Sequence, residues 1–171
     1  AGNIDAFMGA IHAGADAVYL AGTKFGARAY ADNFTEEQLI FCIRYAHLFG
    51  RKVYLTVNTL MKDEELQELY AYLLPFYEAG LDAVIVQDIG AFQYIKRNFP
   101  DMELHVSTQM TITGEYGAEL LKEMGASRIV PARELSLEEI VNMKEKTGLA
   151  IETFIHGAMC MAYSGRCFLS A

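Results

Sequence analysis

Ala79-Gly80-Leu81-Asp82-Ala83-Val84-Ile85 compresses the end of a helix, a glycine and the start of a strand into seven residues. The same arrangement recurs at Ala13-Gly-Ala-Asp-Ala-Val-Tyr19, Phe49-Gly-Arg-Lys-Val-Tyr-Leu55, Met124-Gly-Ala-Ser-Arg-Ile-Val130 and Thr147-Gly-Leu-Ala-Ile151. In each, the glycine can take the left-handed conformation that stops a helix at low steric cost, and a short β-branched strand follows within a few residues. Helix starts are equally legible. Thr35-Glu-Glu-Gln38 and Ser136-Leu-Glu-Glu139 are capping boxes, in which two side chains satisfy orphan backbone donors reciprocally.

Working outward from these punctuation marks, the pattern predicts helices near 3–13, 35–49, 63–79, 89–98, 112–124 and 136–146. It predicts strands near 16–21, 52–57, 82–87, 103–107, 127–131 and 150–155, with Pro100 replacing the glycine stop before the strand around His105. Strict alternation of helix and strand implies an α/β fold with a parallel sheet. A dinucleotide fold would place G-x-G-x-x-G after its first strand, and none of the strand-to-helix turns has it. A (β/α) barrel fits better.

The chain starts at Ala1 without a methionine and stops at Ala171 just after a thiol-bearing segment. The expectation is a single domain over 1–171, a piece of a TIM-like (β/α)8 barrel with about six consecutive units, incomplete at both ends. Such a piece would expose apolar sheet edge, be less stable than the intact domain and be able to associate with itself.

With 171 residues and 53% hydrophobic content, the chain can bury a substantial core. No segment approaches the roughly 18 apolar residues of a membrane span, and no secretory signal opens the chain, so a cytoplasmic protein is expected. A net charge of −8 argues against a broad nucleic-acid footprint. A local basic patch would have to come from Lys24, Arg28, Arg128 and Arg133. Three cysteines without a signal fit free or metal-bound thiols better than a disulfide framework. Cys42 shares helical spacing with Leu39, Ile43 and Ala46, and reads as core.

Barrel enzymes carry their chemistry at the carboxyl ends of the strands. Here those ends hold Gly22-Thr23 with Arg28 beyond, Asn58, Gln87-Asp88, Ser107-Thr108-Gln109, Arg133-Glu134, and His156 with Cys160 and Cys167. Asp88 and Thr23 read as capping or loop residues. Asn58, Gln109, Arg133, Glu134 and His156 are candidates for lining a site. Glu152 sits inside an apolar strand, is costly to bury alone, and is expected to meet a cation, with Arg133 the first choice. Cys160 and Cys167 bracket a Ser164-Gly165 turn. They could be half of a metal or cluster site, a nucleophile with its base, or a disulfide. His156 and Cys160 lie four apart and would pair if their loop were helical. No third residue to orient the histidine is evident.

Glu152, Phe154, Gly157, Ala158, Met159, Cys160, Gly165, Cys167, Leu169 and Ser170 stand at the fixed positions of a long signature over 152–170. Through them the chain resembles the collagenase-like peptidases of family U32, whose catalytic type is unassigned. Gly14–Leu20, Lys52–Asn58, His105–Gln109 and Ala132–Glu138 carry the likeness across the whole chain. The resemblance implies a barrel whose first strand precedes Ala1 and whose closing elements follow Ala171. Family members that hydroxylate RNA bases or quinones hold an iron-sulfur cluster, 4Fe-4S, on four cysteines, and Cys160 and Cys167 match the first two. The resemblance therefore implies hydroxylation of a pyrimidine in tRNA or rRNA; on that reading the strand-end residues Asn58, Gln109, Arg133 and His156 shape the substrate mouth, with Glu134 and Glu152 also expected to face substrate. By the same comparison the cluster is absent from this piece alone, which would be inactive. The alternatives are a peptidase using Cys160 and His156 on a peptide substrate, as the family's name suggests, and a noncatalytic RNA-binding module.

Overall fold

The structure, a computed structural model, describes residues 1–27, 32–157 and 160–167. Helices α1 (Ile4–His12), α2 (Glu36–Leu48), α3 (Asp63–Glu78), α4 (Ile89–Asn98), α5 (Glu115–Glu123) and α6 (Leu137–Thr147) alternate with strands β1 (Ala17–Ala21), β2 (Lys52–Val57), β3 (Ala83–Val86), β4 (Glu103–Val106), β5 (Arg128–Ile129) and β6 (Ala150–Ile151). The local signals act as read. Thr35 and Gln38 close one capping box, and Ser136 and Glu139 the other. Gly148 takes φ 68° at the end of α6, and Gly80 takes φ 90° just after α3.

All neighbouring strands pair in parallel, and their order in the sheet is their order in the chain. That order distinguishes barrel winding from a doubly wound sheet, which reverses at a switch point. Winding in one direction puts every helix on one face, so the sheet curls with helices outside, a half-barrel. Val18, Leu20, Val53, Leu55, Val84, Val86, Leu104, Val106 and Ile129 pack outward against Phe7, Leu39, Phe76, Phe92, Leu121 and Met143 in one apolar core. Side chains of this size each gain about 1.5–3 kcal/mol on burial, which is why the outer face dominates the stability of the fold.

Alternation sends Tyr54, Ala83 and Ile85 to the inner face, where they form a separate small cluster. His105, the Cα partner of Ile85, joins them there fully buried.

Two expectations need correction. The last two strands are short, two residues each, and after Glu152, whose N–H still bonds Ile129 O, the chain leaves the sheet, so that Ile155 is 97% exposed. The fourth strand gives way to a 3-10 turn over Thr108–Met110, capped by Ser107, which the helix and strand periodicities do not register.

Candidate functional site

The carboxyl ends of the strands form one rim, and the rim is tied together by side chains. Asn58 Oδ1 accepts from Ala27 N at 3.0 Å, fastening the loop after β1 to the end of β2. Asp88 Oδ1 accepts from Ala91 N, the helix-capping role read for it, and its other oxygen accepts from Met61 N. Thr23 lies on the wall of a groove between α2 and α3. Arg28 and the signature residues Ala158, Met159, Leu169 and Ser170 lie outside the described residues.

The loop bearing the two cysteines is held over the ends of β4 and β5 by Ser164, which is 2% exposed. Ser164 N donates to Glu134 Oε1 at 2.9 Å, and Ser164 O accepts from Thr111 Oγ1 at 2.7 Å. Its hydroxyl accepts from Arg133 N at 3.2 Å and from Thr108 Oγ1 at 3.5 Å. The Arg133 guanidinium reaches over the loop and donates to the carbonyls of Cys160 at 3.0 Å and Ala162 at 2.8 Å. Gly165 sits so close to the 3-10 turn that a Cβ there would lie 2.1 Å from Gln109 O, and its φ of +70° already excludes most side chains. A turn that must be a glycine thus presses against the backbone of Gln109, a residue singled out for the rim.

Burial works upward on the Glu134 carboxyl. The hydrogen bonds from Ser164, aided by the Arg133 charge, outweigh it and hold Glu134 below the usual carboxylate range. A carboxylate that stays ionised keeps accepting from the Ser164 N–H, so the clamp survives mild acid.

Arg133 is therefore spent on the thiol loop, and the cation expected beside Glu152 is a different one. Glu152 Oε2 lies 3.7 Å from Arg128 Nη1, on the inner face of the sheet. The reason is register. Arg128 is the Cα partner of Ala150, and Glu152, two residues on, projects to the same side.

Cys160 is exposed and Cys167 half-buried. Cys42 is fully buried, and desolvation pushes its thiol up to about 12, the inert core cysteine its spacing predicted. His156 is exposed in a bend, and the residues described on either side of 158–159 are not helical. The condition set for pairing His156 with Cys160 is absent among the described residues. Nor does a basic patch assemble there: Lys24 pairs with Glu68, Arg128 with Glu152, and Arg133 with loop carbonyls. The sequence names Thr108 only as part of a strand end and Ser164 only as part of a turn, and gives no sign of Thr111 or of the contacts among the three. Among the described residues no three His, Cys, Asp or Glu side chains group as a metal site. The loop that carries the two described thiols has its backbone fixed by other groups.

A family model described as Peptidase family U32 matches residues 2–171. Tyrosine-rich and glycine-punctuated as it is, the chain is 42% identical over 170 residues to tRNA hydroxylation protein P1 of Bacillus subtilis, covering 99% of this chain and 40% of that protein. It is also 42% identical over 161 residues to the 23S rRNA 5-hydroxycytidine C2501 synthase of Escherichia coli, covering 94% of this chain and 24% of that enzyme. The chain thus spans well under half the length of these relatives. A solved U32 peptidase superposes with a TM-score of 0.67 at 18% identity, over 82% of this chain and 60% of the other, a likeness of fold.

Proposed function

The chain belongs to peptidase family U32, and from that membership we propose that it serves the hydroxylation of a pyrimidine in tRNA or ribosomal RNA. The observation that carries this reading is 42% identity to a tRNA hydroxylation protein across nearly the whole chain. A second relative, named for an rRNA hydroxycytidine, points to the same chemistry on a different RNA.

In this reading Cys160 and Cys167 are two of the four thiolates that hold an iron-sulfur cluster, the remaining two coming from the rest of a longer protein. Bound there, the cluster would supply electron transfer at the rim. The chain's own residues prepare the place. Ser164, Glu134 and Arg133 fix the loop backbone, so that the two thiols are presented without prior ordering by metal. Asn58 and Gln109 shape the rim that the RNA base enters. Arg133 and Glu134 act on the loop, and Glu152 orients Arg128 from the rim side. No helix among the described residues is long and apolar enough to cross a membrane, and a cytoplasmic setting with RNA follows from the reading.

The test is iron and acid-labile sulfide content of the full-length protein, purified without oxygen, beside Cys160→Ala and Cys167→Ala. Nucleoside analysis of RNA from cells carrying each version accompanies it. Loss of iron, sulfide and hydroxylated pyrimidine in both variants is expected. An iron-free protein that cleaves peptides, and loses cleavage with Cys160→Ser but not Cys167→Ser, would replace this reading with a peptidase.

A further inference from the structure

The inner face of the sheet is not an ordinary barrel interior. Where branched apolar side chains usually fill the layers, this one carries Lys52, Tyr54, Glu103, His105, Arg128 and Glu152. The charges are matched in pairs. Lys52 Nζ lies 3.7 Å from Glu103, and Arg128 Nη1 lies 3.7 Å from Glu152. The His105 and Tyr54 rings meet edge to face at 4.6 Å, and the Arg128 guanidinium lies 5.8 Å from the same Tyr54 ring.

Within this layer two buried atoms lack a hydrogen-bond partner among the described residues, His105 Nδ1 and Arg128 Nε. They are neighbours by register, since His105 and Arg128 are Cα partners across β4 and β5. Their chemistry is opposite. Arg128 Nε can only donate. His105 Nε2 lies 3.4 Å from Glu103 Oε2, and a carboxylate only accepts, so Nε2 carries the hydrogen. Burial, reinforced by the Arg128 charge, holds the His105 pKa down to about 4, so the ring is neutral at pH 7 and Nδ1 keeps its lone pair. One buried donor and one buried acceptor thus belong to residues paired across the sheet, both packed against the Tyr54 ring.

We propose that His105 and Arg128 form a subsite in the barrel interior for one neutral hydroxyl group, contributed by a small alcohol-bearing ligand and exchanged for water when no such ligand is bound. A hydroxyl accepts from Arg128 Nε and donates to His105 Nδ1, which satisfies both atoms. A carboxylate could do so only by forcing the histidine into its other tautomer, at the loss of the Glu103 contact. An ammonium would set a donor against Arg128. The paired charges around the subsite likewise favour a neutral guest. Ser107, where the rim begins, is two residues beyond His105, so the subsite lies about 7 Å below the rim. It is independent of the thiols and of the hydroxylation reading.

The experiment is nitrogen NMR of the full-length protein with 15N-labelled histidine at pH 7, using ethylene glycol and sodium acetate as probes. The expected result is a His105 ring protonated on Nε2, an Nδ1 resonance that shifts saturably with ethylene glycol, and no shift with acetate. Arg128→Lys keeps a cation for Glu152 while removing the Nε donor, and should weaken the glycol response roughly tenfold or more. A proton on Nδ1, a shift with acetate, a response to neither probe, or an unchanged glycol response in Arg128→Lys overturns the proposal. Should that variant fail to fold, the tautomer and the glycol-against-acetate comparison on the native protein decide the matter by themselves.

Discussion

The outer face of the sheet and the thiol loop are held by different physics. Phe92, Leu104, Leu73 and Val86 are fully buried between helices and strands, where cohesion is apolar and non-directional. The loop over 160–167 has Ser164 as its one fully buried residue among those described, and it is held by directional hydrogen bonds from Thr108, Thr111 and Arg133 and by one that Ser164 N donates to Glu134. The strands change accordingly, from five and six residues in β1 and β2 to two in β5 and β6. A region built on burial resists local change until it fails globally. A region built on a few hydrogen bonds can open by itself.

The comparison breaks most visibly in the core. Phe92→Ala should cost about 3–5 kcal/mol through lost burial and a residual cavity, lowering the urea midpoint of the whole domain. If only the loop became mobile, the separation of the two regions would be wrong.

Acid separates them next. His105 has its pKa lowered from 6.5 to about 4, so the unfolded chain takes up its proton first as pH falls. The stability associated with a neutral His105 is full above pH 6.5 and is lost as pH falls from there toward about 4, by about 3 kcal/mol. The Glu134 carboxyl, held low, contributes to the loop above its unfolded pKa and lets go only as pH falls through its depressed value. Urea titrations from pH 7 to 4 should therefore show the sheet weakening while the loop's amide protection persists. A His105→Gln variant that keeps the same pH slope would assign that slope elsewhere.

Ser164→Ala comes third. It removes the hydroxyl shared by Arg133 N and Thr108 Oγ1 and should cost about 1–3 kcal/mol locally. Hydrogen exchange of 160–167 should rise by an order of magnitude or more while α2 to α4 stay protected. Gly165→Ala should release the loop similarly, because its Cβ has no room beside Gln109 O. Equal deprotection of β2 and β3 would show that the loop is part of the core.

The smallest effect tests a feature belonging to neither region. Ser136→Ala removes the cap of α6 and should lower stability by about 1 kcal/mol, visible as a modest fall in melting temperature, with thiol-loop exchange unchanged.

Much of this was legible in the residues because it is local. A glycine at φ 90°, a serine capping its own helix and a β-branched run each act within a few positions, so helix order, strand order and the barrel class follow from the sequence. So did the inert Cys42 and the capping Asp88. A carboxylate inside an apolar strand calls for a cation, but the sequence does not say which arginine stands opposite Glu152. Sheet register gave Glu152 to Arg128 and left Arg133 free to reach the Cys160 carbonyl, 27 residues away. β6 ends sooner than its residues suggest because Phe154 and Ile155 have strand propensity but no neighbouring strand covers them among the described residues.

By itself, the sequence determined the succession of elements, their winding and the segment that carries the thiols, since each depends on short-range propensity and periodicity. Tertiary structure decided the hub at Ser164, whose partners stand from 30 to 56 positions away, and the facing pair of His105 and Arg128. Hydrogen bonds of that span are chosen by the register and curl of the sheet, which no local stretch of residues encodes.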